Sequence, residues 1–196
     1  MTNVPVMIPT FPAAHRSRSH MTTHEYYMKI ALVLAENALA RGEFPVGCII
    51  VVDDLIMAEG KRSHSIGKGS NEIDHAEIHA LRDFSSLQRG IDKNRATLYS
   101  TLEPCLMCYG ACMISGIGKI VYAYEDAMGG GTGCNLERLP PLYREISMTI
   151  TKNVLRHESL KLFAEFFKNP ENQYLKNSLL ARTTLSQAQI LDRNVS

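Results

Sequence analysis

The sequence predicts an α/β layer sandwich. Stretches whose apolar residues recur at helical intervals alternate along the chain with short apolar runs of strand character. At 196 residues the chain is long enough for one domain with a substantial core and too short to expect two. A composition of 45% hydrophobic and 21% charged residues is that of a chain that folds. No internal repeat is visible.

Residues 1–21 hold three prolines and show neither helical nor strand periodicity, so they read as a flexible arm, and Met21 could be the true start. The folded domain is expected over 22–168, with a C-terminal helical extension over 169–196. Thr22 and Glu25 have capping-box spacing, and Met28, Ala31, Leu32, Ala35 and Leu39 follow at helical intervals up to Gly42, which predicts a first amphipathic helix. "VGCIIVV" (46–52) and "LIMAEG" (55–60) flank Asp53-Asp54 as two buried strands of a hairpin. A polar, glycine-containing loop comes next, then a helix over 75–88 with Ile78, Leu81 and Phe84 on one side. "ATLYSTL" (96–102) alternates as a strand does, Pro104 opens a helix through Ser115, and "KIVYAY" (119–124) is a third clear strand. Residues 125–143, rich in glycine and proline, read as a long surface loop. A short strand over Ile146–Ile150, a helix over Ser159–Phe167, a short helix near Tyr174–Ala181 and a frayed end complete the chain.

A net charge of +1 leaves no general cationic field of the kind a dedicated nucleic-acid binder carries. With no run of eighteen apolar residues and no secretory pattern at the N-terminus, the expectation is a cytoplasmic protein without a membrane partner. Five cysteines is an odd number, and two of them form C-x-x-C, which favours a metal or a reactive thiolate over disulfides.

Two short segments carry the chemistry. "DHAEIHAL" (74–81) sets His75, Glu77 and His79 within five positions, and "TLEPCLMC" (101–108) sets Cys105 and Cys108 three apart in a helix's first turn, where the dipole favours thiolates. Alone, the cysteine pair fits a redox couple, two packed thiols or a metal site. One imidazole with two thiolates would leave the fourth tetrahedral position of a zinc ion open, the arrangement of a catalytic site, where bound water ionises near neutral pH. Glu77 is the candidate proton carrier, although residues two apart on a regular helix do not face each other. His75 with His79 is the competing pair, but a zincin protease needs H-E-x-x-H, and this chain has H-x-E-x-H. Cys112, one turn beyond Cys108, could close a structural Cys3His site but fits the core better, and neither Cys48 nor Cys134 is an obvious ligand.

H-A-E followed by P-C-x-x-C resembles the cytidine/deoxycytidylate deaminase superfamily. With "EFPVG" (43–47), "ATLYSTLEPCLMCYGACMI", "IGKIVYAYEDA" and "KLFAEFF", the chain is similar over 22–168 to the branch holding tRNA adenosine, guanine and cytosine deaminases. The resemblance implies a three-layer α/β/α sandwich with a mixed five-stranded sheet, often as a homodimer. It implies one Zn2+ on His75, Cys105 and Cys108, and Glu77 passing a proton from the zinc-bound water to the base nitrogen and then to departing ammonia. Ala76 and the turn at Pro45, Val46 and Gly47 would line the base pocket, and Pro104 would fix the start of the ligand helix. The family's loop before the histidine commonly carries an asparagine that touches base or sugar. Here it reads Arg62-Ser63-His64, and Asn71 is its one asparagine, so His64 and Asn71 are the candidate contacts.

Three readings follow. The near-neutral charge and a last stretch without a dense basic run favour a free nucleobase, nucleoside or related small aminated heterocycle as substrate. The match of "TLEPCLMC" and "IGKIVYAYEDA" gives the alternative, adenosine-to-inosine conversion in tRNA, which would need a basic stripe from Lys61, Arg62, Lys68 and Lys119. A zinc-stabilised binding protein without catalysis is third, because a structural zinc has no use for Glu77.

Overall fold

The computed structural model describes residues 21–67, 70–87 and 91–194. All but the last residue of the arm expected at the N-terminus, together with Lys68, lies outside them. Helix α1 (Thr23–Leu39) starts at a full capping box, in which the Thr22 hydroxyl accepts from the Glu25 N–H and the Glu25 carboxylate accepts from the Thr22 N–H. Strands β1 (Gly47–Val52) and β2 (Leu55–Lys61) form the hairpin. Asp53 and Asp54 both sit at positive φ, 51° and 63°, as a two-residue turn of matching twist requires.

β3 (Thr97–Leu102), β4 (Lys119–Tyr124) and β5 (Thr149–Thr151) complete a five-stranded sheet in the order β2-β1-β3-β4-β5. β1 runs antiparallel to β2 and β3, while β3, β4 and β5 run parallel, so the sheet is mixed. Every residue of β1 is buried because both faces are covered. Ile49 and Val51 pack on Met28, Ala31 and Leu32 of α1. Cys48, Ile50 and Val52 share the other core with helices α2 (Ala76–Ser86) and α3 (Leu106–Ser115). Helix α5 (Arg156–Lys168) lies on the α1 side, where Leu162 joins that core and the Ser159 hydroxyl donates to the Thr101 carbonyl. The result is an α/β/α sandwich.

One glycine sets how closely α2 approaches. A Cβ on Gly60 of β2 would stand 2.0 Å from the Ala76 carbonyl oxygen, so the first turn of α2 rests directly on strand backbone.

The structure departs from the sequence expectations in several places, among them the strand expected over Ile146–Ile150, which forms at Thr149–Thr151. α3 begins at Leu106, with Cys105 as its N-cap, and Pro104 precedes the helix; the Pro104 carbonyl instead accepts from the Gly131 N–H. The segment 125–143 is more than a surface loop: it returns to the start of α3, bridges Cys105 through Gly130, and carries a short helix α4 (Pro141–Arg144). Among the described residues, the C-terminal segment is more than the short helix expected near Tyr174–Ala181. Helix α6 spans Leu179–Asn194, capped by Ser178, and docks on α5. Leu180, Ala181, Thr184 and Ala188 supply a buried stripe that its polar composition hides, and Thr184 bonds the Tyr124 hydroxyl.

Candidate active site

The N-termini of α2 and α3 converge at the carboxyl end of β3. His75 and Cys105 are the N-caps of these helices, both in extended backbone, and neither uses its side chain as a cap. Their side chains are therefore free to meet each other, and both helix dipoles present their positive ends to them. Cys108 is three residues into α3, on the face below Cys105. The His75 Nδ1 stands 3.6 Å from the Cys105 sulfur and 3.4 Å from the Cys108 sulfur, and the three donor atoms lie within 4.8 Å of one another. A tetrahedron with bonds of about 2.0 Å to nitrogen and about 2.3 Å to sulfur has N···S edges of about 3.5 Å, so the three donors fit one zinc ion.

Glu77 reaches the same point. Because His75 lies outside the helix, at ψ 152°, the two-residue spacing does not set the two side chains on opposite faces. The Glu77 carboxylate is 3% exposed, accepts from the Ser100 hydroxyl at 2.9 Å, and lies 3.6 Å from the Cys108 sulfur. Burial raises the affinity of this carboxyl for its proton, only partly opposed by His75 and by hydrogen bonds. Hydrogen bonding to Cys108 and to His75 pulls the Cys105 thiol down to about 4, while the same contact, burial and the Glu77 charge push Cys108 up. Burial would lower His75, but its bond to Cys105 and the charges of Glu77 and Cys105 outweigh that and raise it.

The other candidate residues are distributed as follows. Val46 and Ala76 line a cleft of about 190 Å³ that opens beside His75, Glu77 and Cys105. Pro45 turns its carbonyl toward the Thr101 hydroxyl, and the Gly47 N–H donates to that same hydroxyl. His64 is exposed and pairs with Asp74, and the Asn71 side chain accepts from the Ile73 N–H; neither lines the cleft. His79 contacts the Ser63 hydroxyl and stays outside the three-donor cluster. Cys112 and Cys48 are buried, with their thiols pushed up by burial, and Cys134 is exposed.

Several residues that the sequence reading did not place here also line the cleft: Arg62, Glu72, Glu103, Asp126 and Tyr174. Of the second-layer residues, Ser100 left a trace in the sequence, a hydroxyl at an inward position of an apolar strand. Of the cations named for a basic stripe, Arg62 is buried and Lys119 stands at the opposite end of the sheet from the cleft, so these two do not share one exposed surface, and Lys68 lies outside the described residues. No helix among the described residues is long and apolar enough to cross a membrane.

Comparison with known proteins agrees with this geometry. The cytidine and deoxycytidylate deaminase zinc-binding region matches residues 21–124. A tRNA-specific adenosine deaminase of Buchnera aphidicola subsp. Baizongia pistaciae is 34% identical over 161 residues, covering 80% of this chain and 97% of that protein. Among solved structures, one from a study of A-to-I editing by tRNA:A34 deaminases aligns with a TM-score of 0.59 and 27% identity over 70% of this chain and 98% of that one. A second, solved in complex with 8-azaguanine, aligns with a TM-score of 0.60 and 26% identity over 74% of this chain and 84% of that one. The cofactor is zinc.

Proposed function

The chain belongs to the cytidine and deoxycytidylate deaminase family, and from that premise we propose that it converts adenosine to inosine in tRNA, with His75, Cys105 and Cys108 holding zinc and Glu77 moving the proton. As a deaminase it is a hydrolase: water replaces an amino group and ammonia leaves. Zinc, when bound, supplies the Lewis acidity that ionises water near neutral pH. Glu77 is buried, proton-retentive and held by Ser100, so it can accept one proton from the attacking water and deliver it to the ring nitrogen beside the amino-bearing carbon, where it stays, and then carry the second water proton to the amino nitrogen, which leaves as ammonia while the carbonyl forms.

The observation that carries the tRNA reading is the 34% identity to a tRNA-specific adenosine deaminase across 97% of that protein. This identity supports tRNA over the free heterocycle that the near-neutral charge favours. Zinc-loaded protein incubated with an anticodon stem-loop RNA should yield inosine at the wobble adenosine; RNA recovered without inosine would remove this reading.

A free aminated heterocycle is the second reading, favoured by one feature of the cleft. Tyr174, Leu175 and Leu180, from the chain after α5, line it and give it an apolar outer wall. Ammonia released from adenine, guanine or cytosine, with no inosine in RNA, would select it.

A further inference from the structure

Strand β3 ends at Leu102, and Glu103, Pro104 and Cys105 carry the chain to the first turn of α3. Cys105 is the N-cap of that helix but does not cap it with its side chain, because the sulfur is turned toward His75. The segment after β4 holds this start instead. The Gly131 N–H donates to the Pro104 carbonyl at 2.9 Å, and Gly130 pairs with Cys105 in an isolated antiparallel bridge. The approach is backbone on backbone: a Cβ on Gly131 would stand 2.7 Å from the Leu106 nitrogen and 2.9 Å from the Cys105 carbonyl carbon.

Glu103 fastens that segment. Its Oε1 accepts from the Thr132 hydroxyl, and its Oε2 accepts from the Asp126 N–H at 3.3 Å. Its own N–H donates to the Tyr124 carbonyl at 2.7 Å, which ties it to the end of β4, where the segment begins. Between the two attachment points the stretch is braced from within, since the Asp126 carbonyl accepts from the Gly130 N–H and the Asp126 carboxylate accepts from the Met128 and Gly129 N–H groups. A Cβ on Gly130 would stand 2.5 Å from Glu103 Oε2, so the chain passes the carboxylate at a distance that suits glycine. Glu103 lines the cleft, but both of its oxygens already accept from donors of this chain.

We propose that Glu103 is a positioning residue for the metal site: by clasping Asp126 and Thr132 it holds Gly130 and Gly131 against the backbone of Cys105, and so fixes where that sulfur stands relative to His75 and Cys108. This rests on the deaminase reading, in which those three residues hold zinc. Without the clasp, the spacing of 3.6 Å between the Cys105 sulfur and the imidazole is no longer set in advance. Removing a partner one layer behind a metal ligand typically costs about 10- to 100-fold in metal affinity.

The test reads metal binding as well as turnover. Zinc affinity is measured by competition with a chromophoric chelator, and the sulfur-to-metal absorption is recorded on cobalt-substituted protein. Glu103→Ala and Thr132→Val should each weaken zinc binding by about 10- to 100-fold and alter the cobalt spectrum, while the thermal midpoint of the zinc-free protein holds. Thr132→Ser, which keeps the hydroxyl, should restore the affinity and the spectrum of the wild type. The double variant should lose no more than Glu103→Ala alone, because both changes open one clasp. If Glu103→Ala does not fold, the Thr132 pair carries the test. Zinc affinity and cobalt spectrum unchanged in the variants, losses that add in the double variant, or a zinc loss matched by a fall in the zinc-free thermal midpoint overturn the clasp alone. Wild-type protein that binds no zinc, or binds it and releases ammonia from no substrate, overturns the deaminase reading and this proposal with it.

Discussion

Gly60→Ala tests whether the catalytic geometry depends on how closely α2 approaches the hairpin. The added methyl would meet the Ala76 carbonyl oxygen at 2.0 Å and the Ala80 nitrogen at 2.8 Å, against a floor near 3.0 Å for real Cβ contacts. Both neighbours are helix backbone, so no side chain can swing aside, and the first turn of α2 must retreat by about 1 Å, the difference between 3.0 and 2.0. Ala76 lies between His75 and Glu77, so the retreat carries both away from the two sulfurs on α3, which stand only 3.4 and 3.6 Å from the imidazole. Overpacking of this kind costs about 1–3 kcal/mol of stability. A misplacement of about 1 Å in a reacting group costs on the order of 100-fold in rate. Thermal unfolding, bound zinc and ammonia release, measured on one preparation, separate the two effects. Gly118→Ala is the control: its Cβ would meet the Asn94 carbonyl at 1.8 Å, at the sheet end away from the cleft, so it should lose comparable stability and much less activity. If Gly60→Ala kept its zinc and its turnover to within about threefold, the coupling of strand backbone to ligand geometry would be refuted.

Four further outcomes are expected. Glu77→Gln should lower kcat by about 100- to 10,000-fold while zinc content and thermal midpoint hold, as the loss of a proton carrier predicts; an equal loss of zinc would point to a structural role instead. Stripping zinc with a chelator should lower the thermal midpoint, and the midpoint should climb again with added zinc, because the metal binds the folded site. Gly110→Ala, in α3 with no atom within 4 Å of the added methyl, should stabilise by about 0.5–1 kcal/mol in chemical denaturation. Burial alone would raise the Glu125 carboxyl, but the Arg156 guanidinium holds it below its usual range, so its stabilising effect is present above the unfolded carboxyl value of about 4.3 and is lost as pH falls below that. Arg156→Met should therefore flatten the fall of the thermal midpoint on acidification.

The parts of the fold that the sequence reveals are those specified by neighbours in the chain. Thr22 with Glu25 announces α1, Asp53-Asp54 announces the hairpin, and "KIVYAY" announces β4, each through a local rule that the structure satisfies. The metal cluster is legible for the same reason, since three donors on two helix starts need only correct spacing within each segment. The expected start of α2 is one residue early, and that residue matters. With His75 inside the helix, Glu77 would point elsewhere; with His75 as the N-cap, imidazole and carboxylate share one site.

The outer half of the cleft obeys no such local rule. Tyr174 reaches Arg62 across 112 positions of sequence, and Thr184 reaches Tyr124 across 60, through contacts that exist only once α5 has turned the chain back. No periodicity at Tyr174 signals a partner, and Arg62, in a polar loop sequence, reads as a solvated cation until burial is seen. The three candidate zinc ligands and Glu77 sit at the starts of α2 and α3, anchored to the sheet, while Arg62 and Tyr174, which also line the cleft, come from the hairpin's exit and the C-terminal segment. A change that shifts the start of α2 or α3 therefore displaces the donor cluster itself, whereas a change at Tyr174 alters the cleft wall from outside that cluster.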